Sequence, residues 1–146
     1  MRVPGKSIIV TGAGGGIGEG IARRLAAEGA RVIVNDIHVG LGEKVTADIN
    51  AAGGQARFVA GDVTRGADWQ ALVAAAQAFG GRLDVVVNNA GWTHRNRPLL
   101  EVSEAEFDKV YDVNMKSIYW SAIHGVPAMA QAGGGSFINI ASTAGV

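Results

Sequence analysis

A glycine-rich turn between two predicted strands is the feature that most constrains the fold of this chain. Residues 7–11, SIIVT, are apolar and β-branched, as expected of a strand buried on both faces. Five glycines follow at once: Gly12, Gly14, Gly15, Gly16 and Gly18. Without a Cβ, these residues let the backbone turn sharply and bring its N–H groups close to a bulky group.

The turn leads into a predicted helix and a second strand. Apolar residues recur at helical spacing from Ile17, and a helix N-terminus favours a bound phosphate. Residues 31–36, RVIVND, predict a strand that ends on Asp36, whose carboxylate can accept hydrogen bonds from an adenosine ribose. A glycine-rich turn alone is common, but these elements in register predict a dinucleotide site.

The rest of the chain alternates predicted helices and strands. Helices are expected over residues 40–52, 68–79 and about 106–132, and strands over 55–60, 83–88 and 136–141. Ser103 and Glu106 predict a capping box before the long helix, whose apolar stripe is expected to be mainly core, with a bend at Pro127. This βαβ pattern predicts an α/β fold with a parallel sheet, formed as one domain over residues 1–146.

Ligands of such sheets bind at the carboxyl ends of the strands. That rule places the glycine turn, Asp36, Asp62, Val63, residues 88–91 and Ser142 at one edge. Several have simpler explanations. Asp62 could cap a helix, Ser142 could begin a turn, and Asn114 could be an ordinary helix residue with satisfied hydrogen bonds.

Composition excludes several other classes of function. The 13 basic and 13 acidic residues balance, so nucleic acid and anionic membranes are not expected partners. No apolar run approaches the ~20 residues that span a bilayer, and the short segment before the first strand leaves no room for a signal peptide. Zero Cys fits the cytoplasm. The three histidines show no metal-ligand spacing, so we expect no metal site.

These motifs resemble those of the short-chain dehydrogenase/reductase family. Residues 11–18, TGAGGGIG, match its TGxxxGxG turn, and residues 88–91 match its NNAG motif. Asp62 matches its adenine-contacting Asp, Asn114 its mid-helix Asn, and Ser142 its catalytic Ser. The matches occur in order along the whole chain, and together they are highly specific.

The resemblance implies a three-layer, Rossmann-like, doubly wound parallel sheet with five strands in the order 3-2-1-4-5. It also implies hydride transfer between a nicotinamide cofactor and a secondary alcohol or ketone, with Ser142 hydrogen-bonded to the substrate oxygen and Asn114 positioning a water. A homo-oligomer, dimer or tetramer, is expected for the complete enzyme, and the resemblance implies that part of the apolar stripe on the long helix could form a subunit interface. Cofactor contacts are expected from Gly12, Gly14, Gly16, Ile17, Gly18, Asp36, Ile37, Asp62, Val63, Asn89, Ala90 and Gly91.

Asp36 bears on the choice of cofactor. It can bind both ribose hydroxyls of NAD, whereas the 2′-phosphate of NADP would meet a like charge, a repulsion of at most about 4 kcal/mol at ~4 Å. No Arg lies in the glycine turn or directly after Asp36 to offset that repulsion. NAD is therefore the expected cofactor.

The sequence departs from the family at the proton donor. The family uses the Tyr of a Tyr-x-x-x-Lys pair after the Ser, but Tyr111 and Tyr119 have Met115 and Ile123 at the fourth position. We therefore expect the N-terminal portion of a longer enzyme, with C-terminal strands missing, residues 136–141 as an exposed edge, and little or no turnover by this chain alone. The alternative is a non-catalytic dinucleotide-binding or partner-binding fragment. A weaker possibility is that a second chain supplies the missing half.

The segment from Trp92 to Arg97 is the expected substrate-side loop. Its charged residues would favour a polar or anionic substrate, although a solvated loop is the favoured explanation of them. The identity of the alcohol or carbonyl substrate stays open.

Overall fold

A computed structural model describes residues 1–142 of the chain, and β-strands alternate with helices along it. The strands are β1 (Ser7–Val10), β2 (Arg31–Asp36), β3 (Gln55–Ala60), β4 (Val85–Asn88) and β5 (Ser136–Asn139). The helices are α1 (Gly16–Ala27), α2 (Val39–Ala51), α3 (Gly66–Gly80), α4 (Glu104–Tyr111) and α5 (Ser117–Gln131), with a 3₁₀ turn at Leu99–Glu101 and a π-helical turn at Asp112–Lys116.

The five strands form one parallel sheet in the order β3-β2-β1-β4-β5, which confirms the predicted order. Strand β1 is central, and its Ile9 lies opposite Ile33 of β2 and Val86 of β4. From β1 the chain adds β2 and β3 on one side of the sheet and then β4 and β5 on the other side. The topological switch point therefore lies between β1 and β4, beside the glycine turn.

Two hydrophobic cores, one on each face, give the sheet three layers. Alternate residues of β1 face opposite sides: Ile8 and Val10 pack with α1 and α2, whereas Ile9 packs with α3 and α5. Trp69 of α3 is fully buried in the second core. Burying an aliphatic side chain contributes about 1.5–3 kcal/mol, so these central strands anchor the fold.

The long predicted helix is divided by the π-helical turn at Asp112–Lys116, and Asn114 lies in the middle of that turn. The sequence predicted a change of geometry at Pro127 instead. Pro127 lies within α5, which continues to Gln131. A π turn has no strong signature in composition, whereas it often marks a functional site.

The expectation that the apolar stripe of this helix is mainly core is wrong for its largest side chains. Phe107, Tyr111, Met115, Tyr119 and Ile123 are 47–65% exposed. For Tyr119 and Ile123 the reason is that α5 contacts the sheet through small residues, among them the buried Ser117, Ser121 and Gly125. A Cβ on Gly125 would lie 3.0 Å from the Phe137 ring of β5. The helix thus lies close to the sheet here, and Tyr119 and Ile123 face away from it.

Strand β5 is the edge strand beside β4 and is largely exposed, as expected. Ile138 and Ile140, in β5 and directly after it, are 48% and 42% exposed. Over residues 1–142, no helix has the length and apolar character that crossing a membrane requires.

Candidate functional site

A cavity of about 380 Å³ lies where the strands β1 to β4 end. Its volume is within the usual range of ligand pockets. The structure brings nine of the twelve predicted cofactor-binding residues to its wall: Gly12, Gly14, Asp36, Ile37, Asp62, Val63, Asn89, Ala90 and Gly91. The carboxyl edge of the sheet therefore does collect these residues, as the sequence predicted.

The other three predicted cofactor residues begin α1 and are outside the described cavity wall. Ile17 is 69% exposed. Gly18 is buried beneath the turn, where an added Cβ would overlap the Gly12 carbonyl oxygen. Gly16 has a φ of +56°, a conformation that favours glycine. These residues shape the turn, and their contact with a cofactor remains a prediction.

The glycine turn is tied to the segment after β4. The Asn89 side-chain amide donates to the Thr11 and Gly12 carbonyl oxygens at 2.9 and 3.2 Å. The Thr11 hydroxyl accepts from the backbone N–H groups of Asn89 and Ala90 at 3.0 Å each. A Cβ on Gly12 would lie 2.9 Å from the Ala90 Cα. The two loops thus form one rigid corner of the cavity.

Asp36 is oriented by two backbone donors. Its Oδ2 accepts from the Gly14 N–H and its Oδ1 from the His38 N–H, each at 2.9 Å. Ionised carboxylate oxygens offer about four lone-pair sites, so both oxygens can accept further hydrogen bonds from a ligand. The carboxylate is therefore held in place with acceptor capacity left.

Asp62 begins a tight turn after β3. Its Oδ1 accepts from the Thr64 N–H at 2.9 Å and from the Thr64 hydroxyl at 2.7 Å. The helix that follows, α3, begins at Gly66, and Asp62 is not its N-cap residue. The carboxylate stabilises the turn, and its other oxygen remains an acceptor at the cavity wall.

Asn114 uses its side-chain amide to hold the backbone of Trp92. Its Oδ1 accepts from the Trp92 N–H at 2.9 Å, and its Nδ2 donates to the Trp92 carbonyl oxygen at 2.7 Å. The Lys109 ammonium lies 4.2 Å from the Trp92 ring centroid, a cation–π geometry. The side chain is satisfied within the fold, and its role in positioning a water remains a prediction.

Sequence reasoning missed Asn35 and Lys109 as wall residues, whereas it had placed Trp92 in the expected substrate-side loop. Asn35 had a signal, because it is a polar residue within an otherwise apolar buried strand. Lys109 had none, since its approach to the cavity depends on how the loop after β4 folds against the π turn.

Ser142 is exposed and follows β5 by three residues, at the end of the described chain. The end of β5 is fixed by Asn88, whose amide donates to Ser121 Oγ at 3.0 Å and to Asn139 Oδ1 at 2.9 Å. The rest of the NIASTAG motif falls on residues 143–146, outside the described residues. The catalytic role of Ser142 remains a prediction.

The loop between Trp92 and α4 ends in the predicted capping box. The Ser103 hydroxyl accepts from the Glu106 N–H, and the Glu106 carboxylate accepts from the Ser103 N–H at 3.1 Å. The Ser103 N–H and hydroxyl, together with Arg97, hold the pKa of Glu106 below its usual value. Across residues 1–142, no three potential metal-ligating side chains of His, Cys, Asp or Glu lie together.

Comparison with known proteins identifies the family. The model of the short chain dehydrogenase family matches residues 6–146. The chain belongs to this family. This finding confirms the resemblance that the glycine turn, the NNAG motif and the residues after them had indicated.

Among curated relatives, the chain is 52% identical over 146 residues to 4-formylbenzenesulfonate dehydrogenase TsaC1/TsaC2 of Comamonas testosteroni. The alignment covers 100% of this chain and 58% of that relative. The chain thus spans little more than half the length of this curated relative.

Solved structures of the family share the fold. A metagenomic short-chain oxidoreductase in complex with NADP has a TM-score of 0.91 and 39% identity, over 100% of this chain and 66% of that one. A 7α-hydroxysteroid dehydrogenase with NADH and 7-oxo glycochenodeoxycholic acid has a TM-score of 0.92 and 36% identity, over 98% of this chain and 55% of that one. Since one neighbour holds NADP and the other NADH, the choice of cofactor depends on this chain's own residues.

Proposed function

We propose that this chain binds NAD in the cavity at the carboxyl ends of β1 to β4 and forms the cofactor-binding portion of an NAD(H)-dependent oxidoreductase. The observation that carries the proposal is the placement of Asp36, whose carboxylate lies at the cavity wall and is aimed by the N–H groups of Gly14 and His38. There it would accept hydrogen bonds from both hydroxyls of the adenosine ribose.

The residues at the wall fit a dinucleotide. A Cβ on Gly15 or Gly16 would meet no protein atom within 4 Å, so space beside the turn is open. The N-terminus of α1 begins there and carries unpaired N–H groups that favour a diphosphate. Asp62 and Val63, on the opposite wall, would contact the adenine.

Charge at the same wall supports NAD over NADP. A 2′-phosphate bound beside Asp36 would meet its negative charge. Lys109 also lines the cavity, but its ammonium lies over the Trp92 ring. The segment from Gly12 to Gly18 contains no Arg or Lys.

The bound nicotinamide supplies hydride transfer to or from a substrate carbon. The chain contributes Ser142 as a hydrogen-bond partner for the substrate oxygen and Asn114 as a residue that holds the loop over the cavity. Tyr111 and Tyr119 are not followed by Lys at the fourth position, so neither supplies the family's proton donor. The 146-residue chain should therefore bind NAD and show little or no turnover.

The proposed substrate is a small alcohol or carbonyl compound in the cytoplasm. The named substrate of the relative TsaC1/TsaC2, 4-formylbenzenesulfonate, is an aromatic anion. Arg95 in the loop after β4 would suit such a charge, whereas Arg97 is paired with Glu106 at 3.0 Å. The competing hypothesis is a dinucleotide-binding fragment without catalysis. A longer polypeptide that includes a Tyr-x-x-x-Lys pair separates the two, since only the first hypothesis predicts substrate-dependent NADH absorbance changes at 340 nm.

Calorimetric titration with NADH and NADPH tests the cofactor proposal. We expect NADH to bind more tightly than NADPH, and Asp36→Asn to weaken NADH binding about tenfold, equivalent to about 1.4 kcal/mol. Asp108→Asn, a matched change of an exposed acidic residue, should leave both affinities unchanged. Absence of NADH binding by the unmodified chain would overturn the proposal.

We also propose that the stripe of exposed apolar residues on α4, the π-helical turn and α5 pairs with a second copy of the chain in the complete enzyme. Its members, Phe107, Tyr111, Met115, Tyr119 and Ile123, recur every four residues and so lie along one side of the helix. Light scattering after size exclusion should show that Tyr119→Asp reduces the assembly size. Leu100→Asp, at an exposed apolar residue outside the stripe, is the control. An unchanged mass for Tyr119→Asp would contradict this assignment.

A further inference from the structure

Residues 61–63 form one wall of the cavity, and side chains outside the predicted cofactor set hold their backbone. The three side chains are Asn35 of β2 and Asp68 and Trp69 of α3. Each makes a hydrogen bond to a backbone group in or next to this segment. The segment is therefore fixed from the sheet on one side and from a helix on the other.

Trp69 fixes the end of the segment that carries Val63. Its indole Nε1–H donates to the Val63 carbonyl oxygen at 2.9 Å. Trp69 is fully buried, so this bond is shielded from water. The indole ring is itself held by the core beneath the sheet, which gives the carbonyl a rigid partner.

Asp68 fixes the middle of the segment. Its Oδ2 accepts from the Asp62 backbone N–H at 2.8 Å. Asp68 lies in the first turn of α3, where the helix dipole favours a negative charge. The Asp62 side chain makes a separate hydrogen bond, in which it accepts from the Thr64 N–H.

Asn35 links this segment to the glycine turn. Its Nδ2 donates to the carbonyl oxygens of Val59 and Gly61 at 3.1 Å each. Its own backbone carbonyl oxygen accepts from the Ala13 N–H at 2.9 Å. One residue therefore contacts both walls between which a dinucleotide would lie.

We propose that Asn35, Asp68 and Trp69 are positioning residues of the adenosine subsite. They hold residues 61–63 in the shape that receives the adenine, so the segment is ordered before the ligand arrives and binding loses less conformational entropy. The inference rests on the proposed function, because the subsite it describes is the adenosine half of the NAD site.

The test compares two ligands, of which one contains adenine but no nicotinamide and the other contains nicotinamide but no adenine. ADP-ribose is NAD without its nicotinamide and keeps the whole adenosine part, whereas nicotinamide mononucleotide contains no adenosine. Calorimetric titration of Trp69→Phe, which removes the indole donor, should give ADP-ribose binding about tenfold weaker, with nicotinamide mononucleotide binding unchanged. Trp120→Phe is a matched control, because the buried Trp120 Nε1 has no hydrogen-bond partner among the described residues.

Asp68 supplies a second pair of variants should Trp69→Phe fail to fold. Asp68→Ala removes the acceptor for the Asp62 N–H, whereas Asp68→Asn keeps an oxygen there. We expect Asp68→Ala to weaken ADP-ribose binding and to speed hydrogen exchange of the Asp62 amide. Asp68→Asn should retain most of the ADP-ribose affinity and most of the protection of the Asp62 amide from hydrogen exchange.

The outcomes separate the two proposals. If the unmodified chain binds neither NADH nor ADP-ribose, the proposed function fails and this inference fails with it. If the unmodified chain binds ADP-ribose and the variants bind it equally well, the positioning role alone is wrong. If both ligands lose affinity in the same proportion, the three residues act only on stability, and the positioning role is also wrong.

Discussion

The Asp36 carboxylate and the Gly14 backbone N–H are joined by a 2.9 Å hydrogen bond, so the end of β2 and the glycine turn fix each other. The approach leaves no room for a side chain at position 14. A Cβ there would lie 2.8 Å from Asp36 Oδ2 and 3.1 Å from the Leu41 Cβ. A glycine is therefore needed at position 14 because of the Asp36 carboxylate, in addition to any need for space beside a ligand.

Gly14→Ala should consequently weaken NADH binding about tenfold. The added methyl group displaces the Asp36 carboxylate and lengthens its bond to the N–H at position 14. Gly20→Ala is the control, since a Cβ there meets nothing within 4 Å and Ala favours the helix by up to about 1 kcal/mol. Calorimetry with NADH gives the affinities, and thermal melting shows whether both variants fold. Equal affinities for the two variants would contradict the interpretation of Gly14.

Replacing Asp36 should change which dinucleotide binds. In Asp36→Ala combined with Ile37→Arg, the repulsion of a 2′-phosphate is removed and a guanidinium partner is added. We expect the ratio of NADPH to NADH affinity to rise at least about tenfold in titrations of the double variant. Ile37→Arg alone should shift the ratio less, because Asp36 remains. Unchanged selectivity in the double variant would contradict the assignment of Asp36 to the ribose.

The hydrogen bonds of Asn114 predict how the loop after β4 is held. Asn114→Ala removes both bonds to the Trp92 backbone, so hydrogen exchange of the Trp92 amide should become at least about tenfold faster. Asn114→Asp keeps an oxygen that accepts from the Trp92 N–H and should retain most of the protection. Equal exchange in the two variants would show that other contacts hold this loop.

Much of the fold could be predicted from the sequence, because strongly apolar strands and glycine-rich turns are local signals. The grouping of Asp36, Asp62 and Asn89 at one edge follows from the βαβ pattern and the rule for parallel sheets, whereas the strand order was predicted from the family resemblance. The π turn at Asn114 and the exposure of Phe107 could not be predicted in this way. Both are tertiary properties, as is the close packing of α5 on the sheet through small residues such as Gly125.

Supporting residues were harder to predict than wall residues for a related reason. Asp68 and Trp69 are ordinary members of a predicted helix, and their hydrogen bonds to residues 62 and 63 depend on the angle at which α3 begins. The sequence spacing identifies the helix, whereas that angle is determined by the packing of Trp69 in the core.

The surroundings of the Asp84 carboxylate predict how the free energy of unfolding depends on pH. This carboxylate, 4% exposed, lies at the start of β4, at the opposite end of the sheet from the cavity. Its Oδ2 accepts from the Ser7 N–H at 2.9 Å, and its Oδ1 lies 2.9 Å from Lys6 Nζ and 2.8 Å from Arg82 Nε. Burial raises the pKa of Asp84, but the Ser7 N–H and the two cations outweigh it, so the pKa is lower than usual.

The sign of the pH effect follows from that direction. Since the folded protein holds Asp84 at a lower pKa than the unfolded chain, with its ordinary value of about 3.9, the carboxylate stabilises the fold above that value. This contribution is lost as the pH falls from about 4 through the lower pKa of the folded state. Urea unfolding at a series of pH values should therefore show a steep loss of stability below about pH 4.

Asp84→Ala should lower the free energy of unfolding at pH 7 by about 1–3 kcal/mol, because the buried Ser7 N–H loses its acceptor, whereas the two half-exposed cations can be solvated. Its remaining stability should fall less steeply below about pH 4, since the titrating group is gone. Lys6→Met is a milder second variant, because Lys6 is half-exposed and Arg82 remains beside the carboxylate. Asp108→Ala, at an exposed acidic residue, should leave the loss of stability below about pH 4 unchanged. An identical pH dependence in Asp84→Ala and the unmodified chain would show that other carboxylates control acid unfolding.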